Sequence, residues 1–170
     1  MGQADQKIVP GRYRAFPRTL CFVTRGDDVL LLRGAPDKRI WPDQYNGVGG
    51  HVKPEEDVRT AALREIREET GLSVHNLELR AVVNVPTTEE NTGVLLFVFT
   101  AEADQGELQA SAEGRPAWIP RDEVYDLELV QDLPILLPRV LSMGPGEPPL
   151  FAAYAYDKED QLVVSFAPSA

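Results

Sequence analysis

The sequence predicts an α/β sandwich built on a mixed sheet. β-rich runs recur along the whole chain, and two helix-like stretches are interleaved among them instead of gathered at one end. With 170 residues, the chain is long enough to bury a core as one domain, expected over 18–170. Residues 1–17 are polar and carry Pro10, Gly11 and Pro17, so they are expected to form a poorly ordered arm. "RTLCFVT" and "DVLLLRG" flank "RGDD" and predict two strands joined by a hairpin turn. "APDKRIWPDQYNG" is rich in turn formers and predicts a surface loop. A helix is expected over 54–70, with Pro54 in its first turn and Gly71 just past its end. Its Val58, Ala62 and Ile66 recur every fourth residue and form an apolar stripe.

Two β-rich runs follow, "ELRAVVNVP" and "TGVLLFVFTAE", separated by the polar "TTEEN". "PAWIP" predicts a short edge strand, because prolines bracket it. "LVQDLPILLPRVLS" predicts a second helix that Pro138 must kink or delay. "LFAAYAYD" and "QLVVSFA" predict a closing hairpin around "KED".

The charge balance narrows the function. Asp and Glu number 27 against 17 Lys and Arg, a formal charge of −10. That argues against long nucleic acid or anionic membrane as partner, since both are bound through Lys and Arg. A small phosphorylated ligand remains compatible if a cation mediates the contact. Cys21 is the only cysteine, so no internal disulfide is expected and a reducing, cytoplasmic setting follows. The first residues lack the apolar core of a secretory signal, and no apolar run reaches bilayer length.

Against that acidic background, "GGHVKPEEDVRTAALREIREETGL" (49–72) concentrates still more carboxylates. Glu65, Glu68 and Glu69 stand at i, i+3 and i+4 and converge on one helix face, where unpaired they repel. A divalent cation reverses that sign, and hard carboxylate oxygens are the ligands that Mg²⁺ and Mn²⁺ select. Arg64 is placed to reach Glu68 one turn on. A Glu/Arg-rich face is ordinarily just a solvated surface. Here, however, Gly50, Glu56, Arg64, Glu65, Glu68, Glu69 and Gly71 fall at fixed spacing with Ile66 and Leu72. A chance match of that length is on the order of one in ten million at ordinary residue frequencies.

This spacing resembles the Nudix box of the Nudix pyrophosphohydrolases, matching every defining position. The resemblance implies an α/β/α sandwich with the box as a loop–helix–loop beside the mixed sheet, and a Mg²⁺- or Mn²⁺-dependent attack on a nucleoside diphosphate linked to another group. It implies metal ligands at Glu65, Glu68 and Glu69, with the Gly49 carbonyl, and supporting roles for Arg64 and Glu56. One helix glutamate takes the proton of the attacking water; Glu69 is preferred over Glu65.

"WPDQYNGVGGHV", "SAEGRPAWIP" and the C-terminal hairpin are further similar to the MutT-type oxidised-purine nucleoside triphosphate hydrolases of animals. That similarity implies Asn46 and Asp132 as readers of the purine edge and Glu113 as a further metal ligand. It departs at Leu133 and Val130, where that family has an Asp and a base-stacking Trp. The resulting expectation is conversion of purine nucleoside triphosphates, 8-oxo-dGTP foremost, to monophosphate and pyrophosphate. ADP-ribose, a dinucleoside polyphosphate or a capped RNA end is the alternative substrate, and a non-catalytic nucleotide-binding module the alternative class. Monomer and dimer both stand open. Asn46 also suits a turn and Asp132 a helix cap, while His51, Trp41, Trp118 and Cys21 read mainly as structural.

Overall fold

The computed structural model describes residues 9–168. Its elements are β1 (Arg14–Arg25), β2 (Asp28–Gly34), β3 (Tyr45–Asn46), α1 (Val58–Thr70), β4 (His75–Pro86), β5 (Thr92–Glu102), β6 (Gly114–Pro120), α2 (Leu133–Leu141), β7 (Leu150–Tyr156) and β8 (Leu162–Phe166). The strands form one mixed sheet in the order β3-β2-β1-β5-β4-β7-β8, with β6 on the other edge of β2. β1–β5 and β4–β7 are parallel and the remaining pairs antiparallel.

Strand alternation sorts the core into two layers. Leu20, Phe22, Val29 and Leu31 face one side, where Leu133, Leu136, Leu137 and Val140 of α2 cover them. Cys21, Val23 and Leu30 face the other, beneath Ala62 and Ile66 of α1. Strands buried on both faces read as continuous apolar runs, which is why "LCFV" and "VLLL" carry no polar residue. One helix on each face makes the predicted α/β/α sandwich.

Several local expectations are corrected. β1 begins at Arg14, so 14–17 are strand, paired in parallel with Thr92–Leu95, and not arm. The expectation for residues 1–8 lies outside the described residues. The box helix starts at Val58 and not at Pro54. Asp57 is its N-cap, accepting from the N–H groups of Arg59 at 2.8 Å and Thr60 at 3.0 Å. Gly71 ends it with φ 77°, as expected of a left-handed C-terminal glycine. The expected loop 35–47 contains β3, whose Tyr45 and Asn46 pair with Arg33 and Leu32. α2 runs Leu133–Leu141 with Pro134 in its first turn, where no N–H is needed, and Pro138 lies inside it, so Pro138 does not delay its start. The β1–β2 and β7–β8 hairpins and the edge position of β6 are as expected.

Candidate functional site

The site is built where α1 meets the glycine run. β1 pairs with β2 only over Val23–Arg25; before Val23 the same edge of β1 receives the segment 48–52 instead. Cys21 N–H donates to Val48 O at 2.6 Å, Thr19 N–H to Gly50 O at 2.9 Å, and Val52 N–H to Pro17 O at 3.1 Å. Only glycine allows so close an approach: a Cβ on Gly49 would lie 2.1 Å from Thr19 O, and one on Gly50 would lie 2.4 Å from Glu65 Oε1. The two glycines therefore seat the turn on β1 and admit the Glu65 carboxylate over it.

Glu69 reaches the same turn, accepting from Gly49 N–H at 3.0 Å through Oε2. It is only 5% exposed. Burial raises its pKa to about 7; the Gly49 hydrogen bond opposes this, whereas the charges of Glu65 and Glu113 add to it and that of Lys38 opposes it. Cys21 lies beneath, fully buried, its thiol pushed far up by burial and by the same two helix glutamates. It is a packed small hydrophobe and not a nucleophile.

Arg64 organises the rest. Its Nε and Nη2 grip Glu56 at 3.0 and 2.5 Å, Nη1 holds Glu65 at 2.8 Å and Glu68 at 3.0 Å, and Nη2 also donates to His51 O at 3.1 Å. The fork ties the segment before the helix to the helix face, a role the planar guanidinium suits. The Arg64 hydrogen bond, with that from Lys53 N–H at 2.9 Å, holds the Glu56 carboxyl down at about 2. The one-turn contact from Arg64 to Glu68 is thus present, and Glu56 is fixed as its supporting partner.

Glu113, in the loop before β6, ion-pairs with Lys38 Nζ at 2.8 Å. Among the described residues, no three acidic, His or Cys side chains form a group drawn tightly enough to hold a metal ion. Glu65 and Glu69 share the Gly49–Gly50 turn, while Glu68 points to solvent, 55% exposed, and Glu113 stands across the site against Lys38. The donor chemistry still fits a hard divalent cation. A buried carboxylate crowded by two others, over a turn that has no Cβ, is the set such an ion would neutralise.

The two base-reading candidates come together at another corner. β3 is zipped to the segment leading into α2, with Tyr45 N–H donating to Glu128 O at 2.8 Å and Val130 N–H to Tyr45 O at 3.0 Å. This puts Asn46 and Asp132 on adjoining strands of chain. Asn46 Oδ1 accepts from Gly47 N–H at 2.8 Å, a turn role, which leaves its amide donors. Asp132 caps α2 by position but makes no side-chain cap bond; it accepts from Tyr154 OH at 3.0 Å, and burial raises its pKa. Val130 and Leu133 are fully buried in the core. His51 accepts at Nε2 from Arg18 Nε at 3.0 Å, and desolvation with the Arg18 charge lowers its pKa. Sequence reasoning missed Arg18, Lys38 and Tyr154, each an ordinary residue type outside any motif.

A model of the NUDIX domain matches residues 15–140. The oxidized purine nucleoside triphosphate hydrolase of Danio rerio is 30% identical over 130 residues, covering 74% of this chain and 82% of that protein. The NAD-capped RNA hydrolase NudC of Pseudomonas aeruginosa is 38% identical over 95 residues, 56% of this chain; the match spans only 32% of that relative's length. Among solved structures, a MutT protein from Bacillus halodurans superposes with a TM-score of 0.74 at 26% identity, covering 91% of this chain and 99% of that one.

Proposed function

The chain belongs to the NUDIX domain family, and from that premise we propose that it is a Mg²⁺-dependent pyrophosphohydrolase of purine nucleoside triphosphates, releasing monophosphate and pyrophosphate. The observation that carries this reading is the carboxylate set over the Gly49–Gly50 turn, with Glu69 buried on Gly49 N–H, Glu65 against Gly50, and Arg64 fixing Glu56, Glu65 and Glu68. Glu65, Glu68, Glu69, Glu113 and the Gly49 carbonyl would hold the cation. When bound, Mg²⁺ (or Mn²⁺) supplies Lewis acidity and neutralises phosphate charge.

The chain's own groups do the remaining work. Glu69 Oε2 is engaged by Gly49, so Oε1 is the oxygen that takes the proton of the attacking water. Arg64 positions three glutamates, Glu56, Glu65 and Glu68, and its charge is spread over them. The Asn46 amide and the Asp132 carboxyl would bond the purine edge. Asp132 accepts from Tyr154, so that corner sets the Asn46 amide donors beside a carboxyl acceptor.

A second reading keeps the chemistry and changes the substrate to a dinucleotide pyrophosphate, favoured by the 38% identity to the NAD-capped RNA hydrolase. A formal charge of −10 weighs against the RNA portion of such a substrate. Chromatographic product analysis with Mg²⁺ separates the readings, using 8-oxo-dGTP, dGTP, dATP, ADP-ribose, NAD and diadenosine tetraphosphate, with Glu69→Gln as control. Monophosphate from 8-oxo-dGTP well ahead of dGTP supports purine reading at Asn46 and Asp132. A dinucleotide winning the panel transfers the assignment to the second reading, and no turnover of any substrate overturns both.

A further inference from the structure

The loop 35–44 between β2 and β3 carries features that the carboxylate set does not absorb. One end is folded onto Glu113: Ala35 N–H donates to Glu113 O at 3.2 Å, and Lys38 Nζ pairs with Glu113 Oε2 at 2.8 Å. The other end runs directly into Tyr45 and Asn46 of β3. Trp41 lies between these anchors. Its carbonyl closes over Gly34, where a Cβ would meet it at 2.6 Å, and also accepts from Gln44 N–H at 3.4 Å.

The backbone here is held against its own preference. Trp41 has φ 55° and Asp43 φ 61°, the left-handed region that a bulky aromatic seldom adopts. Asp43 is pinned by Arg33 Nη2 at 3.0 Å. The outcome of this strained arrangement is an indole left 48% exposed, beside an Ile40 left 55% exposed. Water is the poorer environment for both side chains, so the local fold is not explained by its own packing. The other tryptophan is committed elsewhere: Trp118 packs in the α1-side core with the Arg25 guanidinium 4.3 Å above its ring. At the Asn46–Asp132 corner Val130 is wholly buried and offers no stacking surface.

We propose that Trp41 is the base-stacking residue of the substrate site, with the phosphates of the bound nucleotide running past Lys38 toward the helix carboxylates. The loop then joins the two halves of the site, cation and aromatic presented from one short segment anchored to Glu113 at one end and Asn46 at the other. This rests on the nucleotide reading above and adds the residue that selects for a base.

Intrinsic fluorescence tests it, since the chain has two tryptophans. Trp118→Phe leaves Trp41 as the only tryptophan, excited selectively over the tyrosines; it is titrated with the α,β-methylene analogue of dGTP and, separately, with inorganic tripolyphosphate. Saturable quenching by the analogue and none by tripolyphosphate is the expected result. Trp41→Phe, which retains only Trp118, keeps analogue binding by competition but loses the quench. Trp41→Ala raises KM about 10-fold with little change in kcat, and Trp41→Phe restores it. An analogue that inhibits turnover without altering Trp41 emission overturns the assignment and leaves the proposed function intact. So does equal quenching by tripolyphosphate, or an unchanged KM in Trp41→Ala. A parent protein that neither binds nor hydrolyses any nucleotide overturns both.

Discussion

At the scale of single residues, Glu69 and Asp132 are both buried carboxylates, and they differ in what surrounds them. Glu69 sits beside two further carboxylates and a backbone amide. Its amide isostere keeps the Gly49 contact but cannot accept a proton, so Glu69→Gln is expected to remain folded and lose on the order of 10²–10⁴-fold in kcat. Circular dichroism alongside single-turnover kinetics checks both halves. Among the described residues, the Asp132 side chain bonds only Tyr154, and burial raises its pKa above the ordinary value of 3.8. A carboxyl raised on folding stabilises the protein at pH below its unfolded value, and that contribution is lost as pH rises through the folded value. Asp132→Asn removes this titration while retaining an acceptor for Tyr154. The melting temperature of the parent relative to Asp132→Asn should therefore fall as pH rises from about 4 toward neutrality; a difference that stays constant with pH contradicts the burial argument.

At the scale of elements, α1 presents a packing residue and the carboxylates of the proposed site on different sides. Ile66 is fully buried against the β1–β2–β5 face, while Glu65 and Glu69 flank it and overhang the glycine turn. Ile66→Ala should lower stability by about 2–5 kcal/mol in denaturant unfolding. Arg64→Lys makes the opposite separation. One ammonium cannot hold Glu56 bidentately and also reach Glu65 and Glu68, so turnover should drop at least about 10-fold with a much smaller change in unfolding midpoint. Equal loss in both quantities for both variants removes the division of labour.

The legibility of these elements in the sequence followed the same division. The 3.6-residue stripe of Val58, Ala62 and Ile66 and the closing Gly71 are local signals, and the helix was readable from them. Its start was misplaced because Pro54 and Asp57 both favour a first turn, and only the hydrogen bonds to Arg59 and Thr60 decide for Asp57. β3 was hidden for a different reason: two residues carry no period, and Tyr45–Asn46 is a strand only because β2 and the segment 128–130 border it. The position of Glu65 and Glu69 on one side of the helix was legible because their i, i+4 spacing is a local signal. Lys38 and Trp41 were not, because what marks them is a contact across 75 residues to Glu113 in one case and a backbone angle in the other.

At the scale of the whole molecule, a formal charge of −10 makes unaided binding of a triphosphate unfavourable, and the fold gathers further carboxylates over the Gly49–Gly50 turn, the proposed site. The arrangement makes sense as one half of a ternary site, so stability and activity should answer to the same cation. A ligand that binds only the folded state stabilises by about 2.7 kcal/mol at 100 times its Kd, which for a chain of this size raises the melting temperature by roughly 5–10 °C. Mg²⁺ titrated into chelator-treated protein should produce that rise with a midpoint matching the one for activation of hydrolysis. In Glu65→Gln/Glu69→Gln the mutual repulsion is gone, so the metal-free melting temperature should exceed the parent's while the response to Mg²⁺ disappears. Ca²⁺ offers a control on the same carboxylates, because it stabilises through oxygen ligation yet tolerates looser geometry than Mg²⁺. Stabilisation by both ions with hydrolysis supported by Mg²⁺ alone locates the cation in the reaction. If the double variant still responds to Mg²⁺ like the parent, the ion binds elsewhere and the carboxylate set over Gly49 and Gly50 is not its site.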